Sequence, residues 1–87
     1  MKPEVAFGEV LRELRKQKGY SQELLAHESD IERNYISLLE LGKNNATIKI
    51  IFKLSGALGT DASTLMGLVQ EKIKAVEKRT DKAAASS

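Results

Sequence analysis

Apolar residues recur along this chain at helical spacing, and no segment alternates in the period-two manner of a strand. Phe7, Val10, Leu11 and Leu14 fall at i, i+3, i+4 and i+7, with Glu9, Arg12, Glu13 and Lys16 turned the other way, which predicts a first helix over residues 4–18. Gly19 suits the left-handed position just past a helix end, and the Ser21 side chain can cap a short second helix over 22–28, with apolar contacts from Leu24, Leu25 and Ala26. Ser29 and Asp30 interrupt the pattern and predict a tight turn. A third helix over 32–41 follows, with Glu32 at its cap and Ile31 and Ile36 at the spacing of a hydrophobic staple. Gly42 ends it, Lys43 to Ala46 form a polar loop, and Thr47 caps a fourth helix over 48–58 carrying Ile48, Ile51, Leu54 and Leu58. Gly59 ends that helix. Asp61 caps a fifth over 62–78, where Leu65, Leu68, Val69, Ile73 and Val76 keep helical spacing. Residues 80–87, TDKAAASS, have too little apolar content to bury and are expected to be a disordered tail beyond one all-α, five-helix unit over 4–79.

Composition narrows the function. A chain of 87 residues supports one compact core and leaves little for an enclosed substrate site. No apolar run reaches the roughly 18 to 20 residues of a spanning helix, and the opening MKPEVAFGEV has no apolar signal-peptide core, so no membrane role is expected and a cytoplasmic location follows. Cysteine is absent and His27 is the single histidine, most simply a surface residue of the second helix. With no Cys/His ligand cluster, phosphate-cradling glycine loop or nucleophile motif, no enzymatic activity, metal, cofactor or small-molecule ligand is expected. The formal net charge of +2 permits nucleic-acid binding without arguing for it.

A helix, a short turn and a second helix occur in many small bundles, so the motifs carry the argument further. LRELRKQKGYSQELLA, then RNYISLLELGK, then TIKIIFKLSGALG, together spanning Leu11 to Leu65, resemble the Xre, Cro and lambda-repressor type of helix-turn-helix regulator. RNYIS followed by ELGK and NNATIK is most similar to the controller proteins of restriction-modification systems, a subgroup that regulates its own promoter and the endonuclease gene. The resemblance implies a compact lambda-repressor-like domain with an extended C-terminal helix, acting as a sequence-specific transcriptional regulator on double-stranded DNA. It places Gln22 against a backbone phosphate at the start of the second helix, where free amides also favour an anion. It makes the third helix the recognition helix, with Arg33, Asn34, Ser37 and Leu38 at bases, and puts Lys43, Asn44 and Asn45 in a phosphate-contacting loop. The side-chain chemistry fits, since arginine can donate two parallel bonds to guanine and asparagine can pair bidentately with adenine. Arg15 and Glu40 match a pair that joins the first helix to the end of the recognition helix.

Other features pull against that picture. Residues 21–40 carry Glu23, Glu28, Asp30, Glu32 and Glu40 against Arg33 alone, so positive charge has to come from flanking lysines and arginines. Asp30 stands where the family usually has glycine. Leu38 and Leu41 sit on the outer face of the third helix, suited either to thymine methyls or to a protein patch. Leu65, Val69, Ile73 and Val76 are spaced like a coiled-coil seam, which suggests a homodimer reading a pseudo-palindromic operator with recognition helices about 34 Å apart. The competing readings are a protein-interaction module that keeps the scaffold without binding DNA, and an antitoxin-type autorepressor.

Overall fold

The computed structural model places five helices along the described residues: α1 (Pro3–Gln17), α2 (Gln22–Ser29), α3 (Arg33–Glu40), α4 (Ile48–Ala57) and α5 (Ala62–Ser86). Residues 1–78 are described in full and 79–86 by backbone alone, so the tail expected at 80–87 lies outside the fully described residues. No strand occurs among the described residues.

Local chemistry explains where the helices begin. Ser21 accepts a hydrogen bond from the Leu24 amide at 3.0 Å, Thr47 from the Ile50 amide at 3.2 Å and Asp61 from the Thr64 amide at 2.8 Å. Hydrogen bonds from the Thr64 side chain and amide, with a further one from the Ser63 hydroxyl, hold the Asp61 carboxyl below its ordinary pKa. Glu32 takes the N-cap backbone position of α3, but its side chain makes no capping bond, contrary to the role expected of it. A carboxylate on two methylenes is a poorer fit to that position than the shorter Ser, Thr or Asp.

The first four helices end alike. Past each one, a residue in the left-handed region lets two successive amides turn back onto the last helical carbonyls, as in Tyr20 N–H to Arg15 O at 3.0 Å and Lys43 N–H to Leu38 O at 3.0 Å. After α2 the left-handed residue is Asp30, at φ 55°, a conformation that disfavours most side chains but that aspartate tolerates.

The core draws on every helix. Ala6, Phe7, Val10 and Leu11 of α1 meet Leu25, Ile36 and Leu39 on one side and Leu54, Leu58, Leu65 and Val69 on the other, with Ile31 of the turn packed in as well. α1 therefore lies between α3 and α5, while α2 packs on α3 and α4. Leu65 and Val69, expected in a seam between two copies, are buried inside the single chain, and Ile73 packs partly against the same core. Periodicity identifies an apolar stripe without identifying what covers it, and here α1 covers it. Leu65 and Val69 are therefore not available to a seam between copies, whereas Ile73 and Val76 are half-buried. The large apolar side chains left at the surface of this half of the molecule are Ile48 and Phe52 of α4, 75% and 64% exposed, with Met66 and Leu68 of α5 less so.

One contact sets the spacing of α1 and α3. Gly8 is buried against the end of α3, where an added Cβ would overlap the Leu39 carbonyl oxygen and sit 2.8 Å from that of Glu40. Both obstacles are backbone. Gly8→Ala is therefore expected to destabilise the protein by about 1–3 kcal/mol, the usual range for overpacking, despite alanine's better helix propensity. Gly56→Ala, at a helical site with nothing within 4 Å, is expected to be neutral or stabilising. Thermal melts of the two variants check this, and equal behaviour would refute the close approach.

Candidate nucleic-acid interface

α2 and α3 are eight residues each, too short to persist alone, so tertiary anchors must hold them. Ile31, Ile36 and Leu39 supply the anchors for α3 from its inner face. That leaves Arg33, Asn34 and Leu38 exposed on the outer face, with Ser37 half-buried between them and the cleft described below. The Tyr35 hydroxyl donates to the Asn45 carbonyl at 2.8 Å, folding the loop after α3 back along the helix. Lys43 and Asn45 are exposed in that loop and Asn44 is half-buried. The tyrosine tie was missed from the sequence, where Tyr35 carries no local signal for a partner ten residues on.

The far end of α3 is fixed by charge. Arg15 Nε donates to Glu40 Oε2 at 2.6 Å and Arg15 Nη2 to Glu40 Oε1 at 3.0 Å, a two-pronged pair with both side chains largely out of solvent. Its third donor, Nη1, reaches the Tyr20 carbonyl at 2.8 Å in the connection between α1 and α2. The hydrogen bond to Glu40 holds the guanidinium above its already high ordinary pKa, against a smaller opposing effect of burial. Gln22 joins the same cluster, donating from Nε2 to Glu40 Oε1 at 3.1 Å. Arg12, Arg15, Gln22, Ser37, Glu40 and Leu41 line one cleft where the three helices meet.

The expected site residues thus fall into two groups. Gln22, Ser37, Arg15 and Glu40 meet at the cleft. Arg33 and Asn34 project from the start of α3, where Arg33 lies a loose 3.9 Å from Glu23, an exposed pair of little energetic weight. Glu23, Glu28, Asp30 and Glu32 are all exposed, so the acidic character read from the sequence is present on the surface. Among the described residues no group of three or more His, Asp or Glu side chains is placed to hold a metal, and no helix is long and apolar enough to cross a membrane.

Two short helices joined at a left-handed turn, the second locked by its inner face with Arg33, Asn34 and Leu38 along the outer one, define a helix-turn-helix domain. The helix-turn-helix family model HTH_3 matches residues 11–65. Control protein C.MunI of a Mycoplasma species is 36% identical over 69 residues, covering 78% of this chain and 93% of that protein. Control protein C.BamHI of Bacillus amyloliquefaciens is 43% identical over 61 residues, covering 69% and 75% respectively. Among solved structures, the restriction-modification controller protein C.AhdI from Aeromonas hydrophila superposes with a TM-score of 0.69 at 44% identity, over 71% of this chain and 94% of that one. The chain belongs to the helix-turn-helix family of DNA-binding transcriptional regulators.

Removing one member of the buried pair leaves its partner's charge uncompensated. Glu40→Ala is expected to lower stability by about 3–5 kcal/mol, against about 0–1 kcal/mol for breaking an exposed pair such as Arg33 with Glu23. Denaturant or thermal unfolding of Glu40→Ala and Glu23→Ala measures the difference, and similar small losses would show that the pair is not sequestered.

Proposed function

We propose that the protein is a restriction-modification controller, binding a pseudo-palindromic operator as a homodimer and regulating transcription in the cytoplasm without catalytic activity. In this reading α3 enters the major groove, Arg33, Asn34, Ser37 and Leu38 face base edges, and Gln22, Lys43, Asn44 and Asn45 hold phosphates. The observation that carries it is the presentation of Arg33 and Asn34 from a short helix pinned by Ile36 and Leu39 and fixed at its far end by Glu40. Such a helix is held in place before any ligand arrives, so little backbone ordering opposes binding. The likeness to proteins named as controllers supports the regulatory role.

Titration with duplex DNA from upstream of the protein's own coding sequence tests this at several salt concentrations. Selective, salt-sensitive binding is expected. Arg33→Ala with Asn34→Ala is expected to abolish the preference for that DNA while leaving weak non-specific binding. Lys43→Ala is expected to weaken binding to all sequences and reduce the slope of log affinity against log salt by about 0.9. Exposed Leu41, together with the acidic surface of α2, favours a second reading as a protein-interaction module, and a wild-type protein that binds no DNA at low salt would make that one lead.

In the same reading the homodimer contact lies on α4. Ile48 and Phe52 lie one turn apart and are the most exposed large apolar side chains among the described residues, while Leu65 and Val69 are committed to the core. A two-fold pairing of such ridges would present two α3 helices to successive half-sites. Phe52→Lys is expected to convert a dimer to a monomer in analytical ultracentrifugation at micromolar concentration without changing the fold by circular dichroism. An unchanged dimer would move the interface elsewhere.

A further inference from the structure

Resting on the reading of Gln22 as a phosphate contact, we propose that Glu40 is a positioning residue for DNA binding, acting through Gln22 rather than through the fold alone. Glu40 Oε1 accepts from Gln22 Nε2 at 3.1 Å and from Arg15 Nη2 at 3.0 Å, while Oε2 is taken by Arg15 Nε. A carboxylate can only accept, so the amide must turn its nitrogen toward Glu40 and cannot present its carbonyl there. A phosphate oxygen likewise only accepts, and the second N–H of the same nitrogen is the donor left to meet it. Glu40 thereby settles which way round the Gln22 amide sits before DNA arrives. Arg15 holds Glu40 from one side and the Tyr20 carbonyl, two residues before Gln22, from the other, so backbone and side chain of the contact are set by one guanidinium. Freezing a free glutamine side chain on binding would otherwise weaken affinity by up to about tenfold.

The sign of the effect separates positioning from electrostatics. Glu40 is a negative charge beside the proposed phosphate position, so by charge alone its neutralisation would strengthen binding. Positioning requires that it weaken binding. The test is a double-variant cycle of full-length wild type, Gln22→Ala, Glu40→Gln and the double variant on the same upstream duplex, read well below the melting temperature of each. Gln22→Ala is expected to weaken binding about tenfold, the worth of one hydrogen bond to a charged acceptor. Glu40→Gln is expected to produce a loss of similar size in the wild-type background and less than about twofold once Gln22 is gone. An equal loss in both backgrounds, or tighter binding by Glu40→Gln, overturns the inference while leaving the DNA reading intact. Absence of wild-type binding overturns both.

A measurement on the unmodified chain guards against a variant that folds poorly. In proton–nitrogen spectra the Gln22 side-chain amide is expected to exchange with water more slowly than those of exposed Gln17 and Gln70, with shifted proton resonances. Gln22 signals indistinguishable from theirs would overturn the inference without any substitution.

Discussion

The bond between Arg15 and Glu40 organises the half of the molecule where α1, α2 and α3 meet, and it depends on a missing atom two turns away. Gly8, Leu11 and Arg15 share one face of α1 at i, i+3 and i+7, so the face that lets the backbone of α3 come close also delivers the guanidinium to Glu40. Leu11, fully buried, fills the space between. A buried ion pair adds little net stability compared with a well-packed apolar pair of the same shape, because both groups must leave water. Its effect here is geometric. Three donors in a planar fork reach the end of α3 and the start of the α2 segment simultaneously, which no apolar contact would specify in register.

That register matters because α2 and α3, eight residues each, have little stability of their own. α3 spans eight residues with no side-chain cap, and α2 stops at an aspartate in a left-handed conformation. Ile31, Ile36 and Leu39 hold the inner face, the Tyr35 hydroxyl holds the following loop, and the ion pair holds the far end. The outer face can then be chosen for its partner. Surrounding it with Glu23, Glu28, Asp30 and Glu32 reduces attraction to phosphates of any sequence, leaving affinity to depend on groups placed at particular positions.

The sequence discloses the parts of this arrangement that are local. Ser21, Thr47 and Asp61 announce helix starts because a cap and its partner amide lie three residues apart. Asp30, at φ 55°, stands where the family usually has glycine, so its left-handed backbone was legible through that likeness and not from a local cap. Glu32 misled because the cap position and the capping bond are separate things, and only the first is set by the chain's path. Gly8 passed unnoticed since a glycine within a helix looks the same whether space demands it or not. The bonds from Gln22 to Glu40 and from Tyr35 to Asn45 join residues 18 and 10 apart, and no periodicity foretells them. Even Arg15 with Glu40, 25 apart, was legible through likeness to a family and not from spacing. Leu65 and Val69 show the converse failure, a correct apolar stripe assigned to the wrong neighbour.

Placing the proposed dimer contact on α4 has a structural consequence that a seam on α5 would lack. Thr47 caps α4, Ile48 follows directly, and the loop carrying Lys43 to Asn45 ends two residues earlier. The loop is also held to α3 by Tyr35. The loop proposed to contact phosphates and the proposed dimer surface are therefore one continuous segment, with a short capped turn between them. A partner pressing on Ile48 and Phe52 acts within a few residues of the Asn45 carbonyl that Tyr35 grips. The same segment would then set both the distance between recognition helices and the position of the loop on the phosphates, so pairing of the two copies and docking on DNA would favour a single geometry.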